Sequence, residues 1–142
     1  MSLRALDLQD AQDMAKLHNL SFETAWPEAD MVSHLESDIC LGIDKPLTGF
    51  IIIRSVADQA EILTLAVHPD HRRTGLARQL VSAGELKASE AGADIMFLEV
   101  AEDNPRAIAL YRSSAYQQIS RRPGYYRRQH GRVGALIFRK DL

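Results

Sequence analysis

The 142-residue chain has one cysteine and no long apolar run. With Cys40 alone, no disulfide can close within the chain and no thiolate cluster can hold a metal. Cys40 lies in Ile39-Cys40-Leu41, where a buried apolar role is expected. No stretch approaches the ~20 apolar residues that a membrane-spanning helix needs. The first residues carry no basic-then-apolar leader. A cytoplasmic, non-membrane protein without a metal is expected. Repeats, low-complexity tracts and linkers are also missing, so a single domain over 1–142 is expected. The two commonest phosphate loops are absent, since there is neither a Gly-Lys-Ser/Thr loop nor a Gly-x-Gly-x-x-Gly run.

The hydrophobic content of 46% and charged content of 25% are those of an ordinary globular chain, long enough to bury a real core. A formal net charge of −2 gives no global reason to bind nucleic acid. The charge is unevenly placed: residues 1–60 hold ten acids against four bases, and the tail from Arg121 holds seven bases against Asp141. An acidic half can attract a cationic amine; simple solvated faces would read the same way.

The organising stretch runs from Ile62 to Leu80, ILTLAVHPDHRRTGLARQL. Ile62 to Val67 has the length and apolar density of a buried strand. Pro69 ends that pattern, because proline cannot donate to a sheet ladder. Arg72-Arg73-Thr74-Gly75 then forms a basic turn, and helical spacing begins at Leu76. Such a turn aims orphan amides and the positive helix end at one point, which suits a phosphate. Gly75 removes a side chain from the approach.

The remaining elements follow in order. Leu3 to Leu6 predicts a strand. Asp7 or Asp10 is expected to cap a helix with Ala11, Met14, Leu17 and His18 on one face. Pro27 suits the first turn of a second helix through Leu35, and Phe22 and Trp26 lie between the two. Ile39–Ile43 and Gly49–Val56 predict antiparallel strands around Asp44-Lys45-Pro46. Asp58-Gln59 predicts a turn before the strand from Glu61. The helix after Gly75 is expected to bury Ala77, Leu80, Val81, Gly84, Ala88 and Ala91, with Gly84 allowing close approach to the sheet and Gly92 stopping it. Ile95–Val100 predicts a strand with Glu99 near its end, and Asn104-Pro105 a capped helix through Ser114. Gln117–Arg122 and Ala135–Phe138 predict two last strands joined by a basic loop, Pro123 to Gly134. The order β-αα-βββ-α-β-α-ββ makes a mixed α/β domain around one central sheet.

The pattern Arg72-x-x-Gly75-x-Ala77 resembles the pyrophosphate signature of the GCN5-related N-acetyltransferases, the GNAT superfamily. Phe97-Leu98-Glu99-Val100, Asn104, Ala107-Ile108-Ala109-Leu110-Tyr111 and the Tyr125-Tyr126 pair extend the resemblance over nearly the whole chain. It is nearest the RimI branch, bacterial enzymes that acetylate the N-terminal alanine of a ribosomal protein. The resemblance implies a mostly antiparallel sheet flanked by helices, acetyl-CoA as donor and an amine acceptor, most simply a peptide N-terminus. The pantetheine arm would pair with Leu65, Ala66 and Val67 as an added strand. The pyrophosphate would fall on Arg72, Arg73, Thr74, Gly75, Leu76 and Ala77, with Arg78 adding charge and Asn104 reaching the arm. Glu99 stands at the position of the general base, Tyr111 at that of the acid for the departing thiolate. Phe22, Trp26, Tyr125 and Tyr126 would wall the acceptor side. Structural readings exist for each: a capping carboxylate for Glu99, a core aromatic for Tyr111, a helix staple for Trp26.

Three departures from the family pattern stand out. Ala115 replaces the usual glycine after the second-half helix, Val133-Gly134 an acidic pair, and Pro27 a polar N-cap. All three touch the acceptor side. The other readings are a GNAT enzyme for a small amine or a protein lysine, and a CoA-binding module without turnover. RNA binding through Arg121, Arg122, Arg127, Arg128 and Arg132 is a further one, disfavoured because such a loop more often faces solvent or peptide.

Overall fold

The strand Gly49–Val56 is buried on both faces over Phe50 to Ile53, each with no exposed surface, and the sheet is built outward from it. In the computed structural model, which describes residues 2–22, 24 and 26–142, seven strands form one sheet in the order β1-β2-β3-β4-β5-β7-β6. They are β1 (Leu3–Ala5), β2 (Ile39–Ile43), β3 (Gly49–Val56), β4 (Gln59–Val67), β5 (Ile95–Ala101), β6 (Gln117–Arg128) and β7 (Gly131–Asp141). Four α-helices cover the faces: α1 (Ala11–Ser21), α2 (Glu28–Ser37), α3 (Leu76–Glu90) and α4 (Pro105–Ser113). Among the described residues only β4 and β5 pair in parallel. This is the mixed, mostly antiparallel sheet and element order that the sequence predicts.

Two cores result. On one face Met14, Leu17 and Met31 of α1 and α2 pack on Cys40, Phe50 and Ile52. On the other, Leu76, Leu80, Val81 and Ala88 of α3 pack with Ile51, Ile53, Leu98 and Phe138. At Gly84 a Cβ would collide with Ile53 Cδ1, so the missing side chain is what lets α3 lie against β3. Burial pushes the Cys40 thiol up to about 12, the inert state expected of a core thiol.

Several boundaries move. Asp7 caps a short 3-10 turn (Leu8–Asp10), whereas Asp10 caps nothing ahead of it. Its carboxylate reaches back instead, closing a capping box on the Asp7 amide at 2.9 Å and taking two guanidinium nitrogens of Arg4 at 2.8 and 3.0 Å. Pro27 is the N-cap of α2 rather than inside its first turn, since its ψ of 165° is extended. The connection over 22–27 includes Glu23 and Ala25, outside the described residues. β4 begins at Gln59, because Ala57 takes the left-handed turn position (φ 57°) and frees Gln59 to pair with Val56. In α3 the core position belongs to Leu76, and Ala91 is the exposed C-cap.

The largest correction is the basic loop. Pro123 to Gly134 is strand except for Gln129 and His130, and β6 and β7 form one long hairpin. Between Arg122↔Ala135 and Tyr126↔Val133, β6 advances four residues while β7 advances two. The bulge absorbs Pro123, which cannot donate to the ladder, without ending the strand.

Candidate active site

Parallel pairing of β4 and β5 begins at Gln59↔Ile95 and stops at Ile62↔Leu98. Beyond that point β5 continues to Ala101 against β7, and β4 continues to Val67 against β3. The two central strands therefore part, leaving Leu63 to Val67 with one edge unpaired inside the sheet. The register of β4 also shifts there: Ile52 faces Thr64 and Ile53 faces Ile62, so Leu63 is an extra residue. Such a bulge bends its strand and helps turn it away from β5. Leu65 and Val67 contribute side chains to the α3-side core and Ala66 to the other. What Leu65, Ala66 and Val67 present to the cleft is backbone.

The turn after β4 is built by short-range bonds. His68 Nδ1 accepts from the Asp70 amide, and the Thr74 hydroxyl donates to the His71 carbonyl. Arg73 and Gly75 both take positive φ, 64° and 85°. Among the described residues no side chain caps α3 and no acid lies in its first turn, so the Leu76 and Ala77 end keeps its electropositive amides. A Cβ at Gly75 would meet nothing within 4 Å; glycine there serves the left-handed turn and an open approach. Arg72 and Arg73 make no ion pair among the described residues, whereas Arg78 donates to Ser113 Oγ on α4 at 3.0 Å. Asn104 caps α4 through the Ala107 amide at 3.2 Å. These backbone and cationic features fit a pyrophosphate followed by an extended, amide-bearing arm.

Glu99 and Tyr111 lie on opposite faces of the sheet. In β5, Leu98 and Val100 point into the α3-side core, so Glu99 faces the α1 and α2 side just past the last β4–β5 pair. The Tyr126 hydroxyl donates to Glu99 Oε1 at 3.0 Å. Tyr111 belongs to the other core, edge-on to Tyr116 with ring centroids 5.7 Å apart. Its hydroxyl has no hydrogen-bond partner among the described residues, and burial raises its pKa, which keeps it protonated. The cleft between β4 and β5 separates a carboxylate from a phenol.

The acceptor-side residues divide. Tyr126 touches Glu99, while Tyr125 is half exposed beneath the Arg122 guanidinium, 5.3 Å from its centroid. Phe22 and Trp26 sandwich His18 at 4.2 and 4.9 Å, and Trp26 stacks on His34 at 5.2 Å. The Trp26 amide donates to His18 Nδ1 at 3.1 Å, so this aromatic column staples α1 to α2. Burial lowers the His18 pKa to about 4 and keeps its ring neutral, as the accepted bond requires.

Two groups escaped the sequence reading. Glu102 takes Arg121 through both oxygens, at 2.7 and 2.8 Å, and accepts from the Gly134 amide at 2.8 Å. A Cβ at Gly134 would sit 2.9 Å from Glu102 Oε1, so glycine at this departure from the family pattern makes room for the clamp. Glu61 lines a cavity of about 330 Å³ with Glu99, Arg54 and Arg122. No spacing rule flags either group, because the hairpin and the sheet bring their partners from distant positions. Ala115 keeps the left-handed turn of the usual glycine, φ 73°, at a cost of order 1 kcal/mol.

A family model described as acetyltransferase (GNAT) family matches residues 11–116, so the chain belongs to the GNAT acetyltransferases. Among individual proteins, it is 31% identical over 137 residues to the N-alpha-acetyltransferase RimI of Mycobacterium tuberculosis, covering 89% of this chain and 85% of that one. It is 35% identical over 91 residues to the [ribosomal protein bS18]-alanine N-acetyltransferase of Escherichia coli K12, covering 64% of this chain and 62% of the relative's length. The crystal structure of the Escherichia coli ribosomal-protein-S18-alanine N-acetyltransferase matches with a TM-score of 0.90 at 27% identity, over 99% of this chain and 92% of that chain. No helix among the described residues is long and apolar enough to cross a membrane, and none of their His, Cys, Asp and Glu side chains group as a metal site.

Proposed function

We propose that this protein is an acetyl-CoA-dependent N-acetyltransferase that acetylates the α-amine of a peptide N-terminus by direct attack. The observation that carries it is the open β4–β5 cleft with Glu99 on one face and Tyr111 in the core of the other. An amine arriving from the Glu99 face can meet a thioester laid along Leu65 to Val67 without either crossing the sheet.

Glu99 takes the proton from the attacking nitrogen, directly or through a water, as the N–C bond forms and the C–S bond breaks. Tyr126 holds that carboxylate in place. Tyr111 gives its proton, or a hydrogen bond, to the departing thiolate. The unpaired amides of β4 near Val67 face the developing oxyanion. The Arg72 to Ala77 turn holds the pyrophosphate, with the Arg72 and Arg73 charges beside it.

A peptide N-terminus is favoured because both relatives above bear names of N-terminal acetyltransferases. A ribosomal-protein terminus follows for the acceptor if the bS18 likeness extends to substrate, and the cytoplasm follows as the workplace. Mass spectrometry of N-terminal peptides, lysine peptides and polyamines after incubation with acetyl-CoA tests the assignment. Acetylation of lysine or polyamine alone would overturn the N-terminal assignment; no transfer to any of them would overturn the enzyme reading.

A further inference from the structure

We propose that Glu61 selects acceptors carrying a second positive charge close to the reacting amine. The inference rests on the transferase reading above and names its substrate class.

Glu61 pairs with Phe97 in the last paired part of the β4–β5 ladder, and Glu99 lies two residues further along β5. Both line the same cavity on the α1 and α2 face. Standard strand spacings put their Cα atoms roughly 8 Å apart. Glu99 lies past the point where the strands part, beside the cleft. Glu61 lies one step before it, where the strands are still closed and no thioester can pass. It is placed to read a neighbouring group on the acceptor rather than to act at the reacting bond.

Glu61 is exposed at the mouth of this cavity, and the charges that face it leave its carboxylate without a partner among the described residues. Arg54 stands directly opposite in β3 but turns Nε and Nη2 to Asp38, at 3.1 and 3.2 Å. Arg122 of β6 lies over the Tyr125 ring. Both arginines attract the carboxylate from a distance, yet burial and then the Glu99 charge outweigh them and raise its pKa. Glu61 has no hydrogen bond or ion pair among the described residues. An acceptor cation at this position is attracted by both carboxylates and offsets their mutual repulsion. About 330 Å³ is at the small end of ligand sites, room for one side chain or the arm of a polyamine.

The test uses matched acceptors with the intact enzyme: peptides differing only at the second residue (lysine, norleucine or glutamate), and a diamine against a monoamine of equal length. Wild type should favour lysine over norleucine by about tenfold in kcat/KM, expressed mainly in KM. Glu61→Gln should bring that ratio within about twofold, and Glu61→Lys should turn the preference towards glutamate. Glu99→Gln should slow every acceptor and leave the ratio intact. An unchanged ratio in Glu61→Gln, or a wild-type preference for glutamate set by Arg122, overturns the proposal. If only the diamine reacts and its advantage needs Glu61, the N-terminal reading fails and the Glu61 role stands. If no acceptor reacts although acetyl-CoA raises the melting temperature, both fail.

Discussion

The two sides of the cleft are made of different material. The side proposed for the donor, from Leu63 to Ala77, offers backbone: an unpaired strand edge, a turn with two positive-φ residues and a helix end that no described side chain caps. The side proposed for the acceptor offers side chains gathered from β3, β4, β5 and β6, with a hydrogen bond and an ion pair between distant residues beside them. Backbone geometry tolerates many side chains as long as glycine stands at the turn. A side-chain site depends on every member and its support. The donor side should therefore be robust to most substitutions and intolerant of one, while the acceptor side should degrade in steps.

The largest effects should come from the two groups that bracket the cleft. Glu99→Gln is expected to lower turnover by ~10²–10⁴-fold below the pKa of the acceptor amine and to recover as that amine deprotonates unaided. Tyr111→Phe should lose a similar factor but worsen with rising pH, because solvent protons for the thiolate become scarce. A pH–rate profile of both variants on one acceptor separates them. Wild-type turnover in Glu99→Gln at every pH would leave Glu99 a structural carboxylate.

Gly75→Val tests the backbone side. CoA at a hundredfold excess over Kd should stabilise the wild type by about 2.7 kcal/mol, read as a rise in melting temperature. The variant should show no rise, and its ligand-free form should lose only ~1–2 kcal/mol for placing a β-branched residue at φ 85°. A retained shift would mean that the pyrophosphate sits elsewhere.

Tyr126→Phe should cost about tenfold in kcat with little change in binding of acetyl-CoA, since it removes one hydrogen bond to a carboxylate. Equal losses on both measures would show instead that the hairpin as a whole had moved.

The smallest effect should be the Glu102 clamp. Arg121 first, and then the Gly134 amide, pull the Glu102 pKa down to about 2. With the folded pKa depressed, the clamp's contribution is complete above the ordinary carboxylate range and fades as pH falls from about 4 through 2. Amide exchange in the β6–β7 hairpin, taken relative to the intrinsic rate at each pH, should rise over that window in wild type. In Glu102→Gln it should be raised already at neutral pH and show no such step.

The sequence determined most of the elements. Apolar runs marked β2 to β5, Asn104-Pro105 marked the start of α4, and Arg72 to Ala77 marked the glycine turn that opens α3, because strand burial, helix capping and left-handed turns are decided within a few residues. The same locality explains the misses. Pro123 and Gly124 read as loop, yet a bulge against β7 keeps them in a strand, and only the partner strand can supply that. Asp10 reads as an alternative cap for α1, yet its carboxylate turns back to the Asp7 amide and to Arg4. Gly134 reads as a bare departure until Glu102 arrives from 32 residues away. Tertiary structure alone decided where β4 and β5 part, that Glu99 and Tyr111 fall on opposite faces there, and that Glu61 shares the cavity of Glu99. Those facts rest on strand register and sheet order, which bring together groups that no local rule connects.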